Sequence, residues 1–321
     1  MKKFLAMVLC ALMVLSLVAC GETASEGTDP AAGSDITIGA SMFDLSDPYF
    51  VSIADGIKAA AEDYGVTLIM DDPAAEAQKQ VSSLENFLIS EVDGIIISAV
   101  EPESVNNTLK TAQESGIKIL AQNHPIDYYD CFITIEEYDY GYAGGVNCGN
   151  WINATYPDQE IEVGIIGAGL HTTGVDRTKG MVDGLLATAP KAKIVTEQDG
   201  EGLTEKAMNV AENMLQAYPN LKAICCFDDL AALGAYEAVN ANKTAEEQKG
   251  FGVFGLDAVD QALGAIAEGG AYKGTIDIAP YDTGYMAVEQ LLKAIKGEAV
   301  EQKILQDMVA VTPENIGNYI K

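Results

Sequence analysis

Gly94-Ile95-Ile96-Ile97-Ser98 is the stretch that decides the fold. A strand wetted on one face alternates apolar and polar side chains. Three successive isoleucines instead present branched apolar groups to both faces, as a strand does inside a parallel sheet covered by helices. Similar short apolar runs, bounded by turn residues, fall at 36–41, 66–70, 118–121 and 132–135. A second set falls at 161–166, 193–196, 223–227, 252–256 and 272–276. Amphipathic stretches fill the gaps and predict helices at 49–64, 75–89, 102–115 and 140–154, then at 177–189, 204–218, 230–240, 258–268 and 281–296. Gly65, Gly116 and Gly297 stand where three of these helices should stop, the usual place for a C-terminal glycine.

The strand–helix alternation occurs twice, before and after about residue 136, and so predicts an α/β protein of two lobes. The lobes are expected at 36–136 plus 278–306 and at 137–277 plus 307–321. Ahead of them, Met1-Lys2-Lys3 is followed by an apolar run from Phe4 to Val18 and then by Leu17-Val18-Ala19-Cys20. Two lysines, a short apolar run and small residues before a cut describe a secretory signal peptide at 1–19. Cys20 just after the cut resembles the lipobox of bacterial lipoproteins and is expected to carry the lipid. Residues 20–35 then read as a flexible acidic linker tethering the body outside the cytoplasm, at the membrane.

Charge excludes one class of partner. The chain carries 19 Lys+Arg against 48 Asp+Glu, a net charge of −29. Such a surface repels phosphate backbones, so no nucleic-acid binding is expected. Cys131, Cys148, Cys225 and Cys226 fit no zinc or redox spacing. Cys225 and Cys226 lie in an apolar run and read as small buried hydrophobes; a disulfide stays open at this level.

In open parallel sheets, ligands bind beyond the carboxyl ends of the strands. The residues there are Asp47, Tyr49 and Phe50 after the first strand, Ser98 at the end of the third, and Asn123 and His124 after the fourth. In the second half they are Arg177, Asp228, Asp257 and Asp277. Carboxylates and an arginine fork suit a ligand rich in hydroxyls, because charge-assisted bonds are the stronger kind. A surplus of carboxylates over cations leaves an amine-bearing solute as an alternative. An enzyme is the rival class. Gly164–Gly169 hints at a dinucleotide loop, but the third glycine of that motif would fall at Thr172, and no nucleophile elbow or phosphate loop is present. His124 and His171 are the two histidines. No catalytic residue, metal or cofactor is expected.

Asp47-Pro48-Tyr49-Phe50, Arg177-Thr178-Lys179-Gly180-Met181, the run from Phe227 to Ala235 and Gly255-Leu256-Asp257 together resemble the ribose-type periplasmic sugar-binding proteins, over about residues 36–312. The resemblance implies the type 1 fold: two Rossmann-like lobes, each a parallel sheet covered by helices, joined by a three-stranded hinge. It also implies a monomer that clamps a monosaccharide between the lobes and delivers it to an ABC transporter permease. A sensor subunit presenting ligand to a membrane receptor is the alternative within that class. Residue by residue, the resemblance makes Asp47 a sugar-hydroxyl partner, Tyr49 and Phe50 the walls of the ring, and Arg177 a donor to ring and hydroxyl oxygens. Asp228 and Asp257 become hydroxyl acceptors. Asn123 and His124 replace an Asp-Arg pair, the family's hinge glutamine falls near Asp277 or Ile278, and Gly202-Leu203 stand where the family has an aromatic. The hinge crossings are expected near 135–137, 276–279 and 306–308.

Overall fold

The computed structural model describes residues 36–169 and 172–320. The signal segment, Cys20 and His171 lie outside the described residues. Ten α-helices, twelve strands and a short 3-10 helix at Ile316–Asn318 make up the described chain, strand and helix alternating through most of it.

The first sheet has the order β11-β5-β4-β3-β1-β2. Its strands are β1 (Thr37–Ser41), β2 (Thr67–Asp71), β3 (Gly94–Ser98), β4 (Lys118–Gln122), β5 (Cys131–Thr134) and β11 (Lys303–Leu305). Every pairing in it is parallel. The helices that follow β1, β2 and β3 are α1 (Pro48–Tyr64), α2 (Ala77–Ile89) and α3 (Pro102–Glu114). The Ile95-Ile96-Ile97 run lies in β3 and is buried on both faces. Ile95 and Ile97 pack with Leu84 and Leu109 on one side, while Ile96 joins Ile53, Ile57 and Leu291 on the other. Burying each isoleucine contributes about 1.5–3 kcal/mol, which is why this run fixes its strand at the centre of the layer.

The second sheet has the order β12-β10-β9-β8-β6-β7. It is built from β6 (Ile161–Gly167), β7 (Ala192–Asp199), β8 (Leu221–Cys226), β9 (Gly252–Phe254), β10 (Tyr272–Asp277) and β12 (Val309–Val311). All pairings are parallel except that of β10 with β12. Helices α4 (Glu137–Thr155), α5 (Thr172–Thr188), α6 (Thr204–Ala217), α7 (Asp229–Asn242), α8 (Ala245–Lys249) and α9 (Asp260–Glu268) belong to this half. Helix α10 (Pro280–Ile295) returns to pack on α1, β3 and β4. The chain thus passes between the sheets three times: from β5 to α4, from β10 to α10, and from β11 to β12. The crossing residues Ile135 and Ile278 are buried in an apolar cluster that reaches into both halves. The fold is therefore two parallel α/β lobes joined by three chain segments.

Local chemistry sets the turns that matter for the cleft. Asp47 caps α1 by accepting the Tyr49 N–H at 2.9 Å, and Pro48 opens the helix. A proline at this position gives up an N–H that would have no partner in any case. Gly65 ends α1 at φ 63, a left-handed value that glycine adopts without steric cost. Helices α4 and α5 cross at unusually close range, because a methyl on Gly141 would collide with the Arg177 carbonyl and one on Gly145 with the Met181 carbonyl.

Several boundaries differ from the sequence expectation. Helix α4 begins at Glu137, not at 140, and α5 at Thr172, not at 177. Strands β11 and β12 are three residues each, with largely exposed side chains, so no apolar run marks them. Helix α8 hides in a polar stretch but has a full capping box between Thr244 and Glu247. Cys131, Cys148, Cys225 and Cys226 are buried thiols with no disulfide among them.

Candidate functional site

A cleft of about 590 Å³ opens between the lobes at the carboxyl ends of both sheets. In each sheet the strand order reverses around the first strand of the half, and the cleft lies over those two reversal points. Asp47, Tyr49, Phe50, Asn123, His124, Arg177, Asp228 and Asp257 all line it. Ser98 and Asp277 do not. Ser98 is fully buried behind the wall, where its hydroxyl donates to Asn123 Oδ1 at 3.1 Å. Asp277 is turned to its own crossing and accepts the Ala279 N–H at 2.6 Å. That bond holds Ala279 in a left-handed turn at φ 49, so Asp277 shapes a crossing and is not brought to the cleft.

The wall from the first lobe is aromatic. Phe43 stacks on Phe50 with ring centroids 5.3 Å apart, and Tyr49 meets Phe50 edge-on at 5.1 Å. Asn123, at φ 63 just beyond β4, donates its amide to the Tyr49 hydroxyl at 2.6 Å. Asparagine tolerates this left-handed backbone. Since Tyr49 accepts that bond, its hydroxyl keeps its own proton to donate. The His124 Nδ1 lies 2.8 Å from the Ala99 carbonyl. A carbonyl only accepts, so Nδ1 carries the proton.

The second lobe brings the charge. Arg177 donates from Nε to Glu137 Oε2 at 2.7 Å and from Nη1 to the Phe227 carbonyl at 3.2 Å. Its guanidinium carbon sits 4.2 Å from the Phe227 ring centroid and 4.9 Å from that of Tyr140. Two faces and two of five donors are thereby occupied, and the remaining N–H groups have no protein partner among the described residues. Burial disfavours the charged guanidinium, but Glu137 and Asp257 more than offset this and hold Arg177 above its ordinary range.

Asp228 caps α7 by accepting the Ala231 N–H at 2.7 Å through Oδ1. Burial pushes its carboxyl up to about 6, against the opposing pull of that N–H and of Arg177. Asp257 accepts the Tyr140 hydroxyl at 2.9 Å through Oδ1, and burial drives it well above the usual carboxylate range. Burial also raises Asp47. The second oxygens of Asp47, Asp228 and Asp257 have no protein partner among the described residues. The lobes are close enough that Asp257 and Arg177 act on the buried Tyr49 phenol across the cleft.

Chemically, then, the cleft offers open carboxylate oxygens from both lobes, unshared guanidinium donors and a phenol proton, all beside a flat aromatic wall. Among the described residues, no group of three or more histidine, cysteine or acidic side chains is placed to hold a metal. Sequence reasoning missed Glu137, Tyr140 and Phe227. Glu137 falls directly after the β5 crossing and was hidden by placing the helix start three residues late. Tyr140 and Phe227 carry no chemical signature until Arg177 is seen between them.

Two α/β lobes around a polar cleft, joined by three crossings, define a solute-binding protein. The chain matches the family described as "Periplasmic binding protein domain" over residues 38–299, and it belongs to that family of extracytoplasmic binding proteins, not enzymes. It is 28% identical over 284 residues to the ABC transporter periplasmic-binding protein YphF of Escherichia coli (strain K12), covering 86% of this chain and 85% of that protein. It is 25% identical over 309 residues to the ribose import binding protein RbsB of Bacillus subtilis (strain 168), covering 95% and 97%. Among solved structures, an ABC transporter periplasmic solute-binding protein of Actinobacillus succinogenes with bound D-allose superposes with a TM-score of 0.80. It is 26% identical and covers 88% of this chain and 100% of that one.

Proposed function

We propose that this protein captures a monosaccharide or a cyclic polyol in the interlobe cleft and hands it to the permease of an ABC importer. The observation that carries the reading is the pairing of unshared Arg177 donors with the open oxygens of Asp228 and Asp257, facing the Tyr49–Phe50 wall. A sugar ring offers hydroxyl donors to carboxylates, hydroxyl and ring oxygens to a guanidinium, and a weakly apolar face to an aromatic ring. The D-allose bound to the Actinobacillus protein and the ribose-import role named for the Bacillus protein support the same class.

The ligand residues in this reading are Asp47, Tyr49, Phe50, Asn123, His124, Arg177, Asp228 and Asp257. Ser98 supports Asn123, and Asp277 supports the hinge. Residues 36–136 plus 278–306 and 137–277 plus 307–321 move as two bodies that close on the ligand. Cleavage before Cys20 and lipidation of its sulfur hold the monomeric protein at the outer membrane face, since two acyl chains give stable anchoring. Cys20→Ala is expected to release the protein from membranes; a membrane-bound variant would contradict the anchor.

A thermal-shift panel of D-ribose, D-allose, xylitol and myo-inositol tests the ligand class. A ligand at a hundred times its Kd stabilises by about 2.7 kcal/mol, so a binder raises Tm progressively with concentration. No rise with any sugar or polyol would overturn the class.

A further inference from the structure

We propose that Asp229, which does not reach the cleft, is the positioning residue for Asp257; this rests on the reading that Asp257 accepts a ligand hydroxyl. Asp257 sits at φ 110 and Ala258 at φ 54. Two successive non-glycine residues in that region persist only where the surroundings over-determine the backbone. Asp229 supplies that constraint from both ends of the turn. Its N–H donates to the Leu256 carbonyl at 2.8 Å, one residue before Asp257. Its Oδ2 accepts the Val259 N–H at 3.0 Å, two residues after. The middle of the turn is tied in as well. The Ala258 N–H donates to Thr275 Oγ1 at 3.1 Å, and that hydroxyl donates to Asp229 Oδ1 at 2.8 Å. The Tyr272 hydroxyl donates to the same oxygen at 2.6 Å.

Every partner of the carboxylate is a donor, which matches an acceptor-only group at each lone pair used. Asp229 is fully buried and does not border the cleft. A buried carboxylate is costly to keep, and this one is spent on holding a short turn. Gly255 leaves the room for it, since a methyl there would collide with Asp229 Oδ1 and the Tyr272 hydroxyl. Asp257 adds one bond of its own, from its N–H to the Ile276 carbonyl at 2.9 Å.

Hydrogen exchange on the ligand-free mature protein tests the assignment without needing a ligand. Asp229→Asn turns one acceptor into an N–H₂ that faces donors. The amides of Ala258 and Val259 are expected to exchange at least about tenfold faster, with the amides of β8 and of β3 unchanged. Unaltered exchange at 258–259, or equal acceleration across β8, overturns the positioning role in favour of none or of a general structural one. If Asp229→Asn does not fold, Thr275→Val carries the test: faster exchange at Ala258 supports the relay, and no change overturns it. With D-allose or D-ribose as probe, Asp229→Asn is expected to weaken binding about tenfold or more in the native background and to change it little beside Asp257→Ala. The exchange result stands apart from sugar binding, so the two claims fail separately.

Discussion

Arg177 Nε lies 2.7 Å from Glu137 Oε2, and both side chains are largely withdrawn from water. The pair joins the first turn of α4 to α5 and aims the unused edge of the guanidinium into the cleft. Glu137 is therefore the anchor of the cleft's permanent cation, while the remaining N–H edge of Arg177, its two faces being covered by Tyr140 and Phe227, stays available to a ligand.

Arg177→Lys is expected to fail as a replacement. A lysine brings one point charge, whereas this site uses a planar fork held between Tyr140 and Phe227. Losing a charged partner of a buried bond costs about 2–5 kcal/mol, so affinity should fall at least thirtyfold, by roughly 1.4 kcal/mol per decade. Glu137→Gln keeps an acceptor for Nε–H and should lose about tenfold or less. Calorimetry on both variants checks the order; equal losses would contradict the anchoring role.

Gly141→Ala is expected to act on the cleft from outside it. The added methyl meets the Arg177 carbonyl, so α5 must shift and carry Arg177 with it. Overpacking of this kind costs about 1–3 kcal/mol. Urea denaturation should report that loss and calorimetry a fall in affinity, whereas Gly264→Ala, inside helix α9 with nothing near the new methyl, should leave affinity unchanged and raise stability by about 0.5–1 kcal/mol.

Asp228→Asn should stabilise the ligand-free protein in a pH-dependent way. Burial lifts Asp228 from 3.8 to about 6, so the folded state holds its proton where the unfolded state has lost it. Stability from this group is full below pH 4 and is lost as pH rises through 6. Asparagine still caps α7 but does not ionise. The variant should gain up to about 3 kcal/mol at pH 7 and nothing near pH 4. A gain independent of pH, read by thermal unfolding across that range, would contradict the buried charge. The same change should weaken ligand binding, because an open acceptor is lost.

Ligand binding should compact the molecule, since residues on both lobes must reach one ligand across the three crossings. Small-angle scattering is expected to give a smaller radius of gyration with saturating D-allose or D-ribose, if either binds, than without. An unchanged radius would mark the cleft as already closed.

Much of this was legible in the sequence because its signals are local. The Ile95-Ile96-Ile97 run announces a doubly covered strand, and Asp47-Pro48 and Asp228-Asp229 announce helix starts at strand ends. Since ligands meet parallel sheets at those ends, Asp47, Arg177, Asp228 and Asp257 could be picked, and all four line one cleft from its two sides. What stayed hidden depends on contacts between distant segments. Glu137 matters through a residue forty positions away, and Asp229 reads as part of a helix cap until the left-handed turn at 257–258 is seen. Ser98 was chosen for its place at the end of β3, but the register buries it behind Asn123. Asp277 was chosen on the same ground, and the turn at Ala279 claims its carboxylate.

Isothermal calorimetry of the mature protein with D-ribose, D-allose and myo-inositol, run beside Arg177→Ala and Asp257→Ala, tests the sugar site most directly. At least one of them is expected to bind the native protein one-to-one, with a loss of roughly 30- to 4,000-fold in each variant and the far-ultraviolet dichroism unchanged. Binding of the same sugar to both variants at native affinity would contradict it.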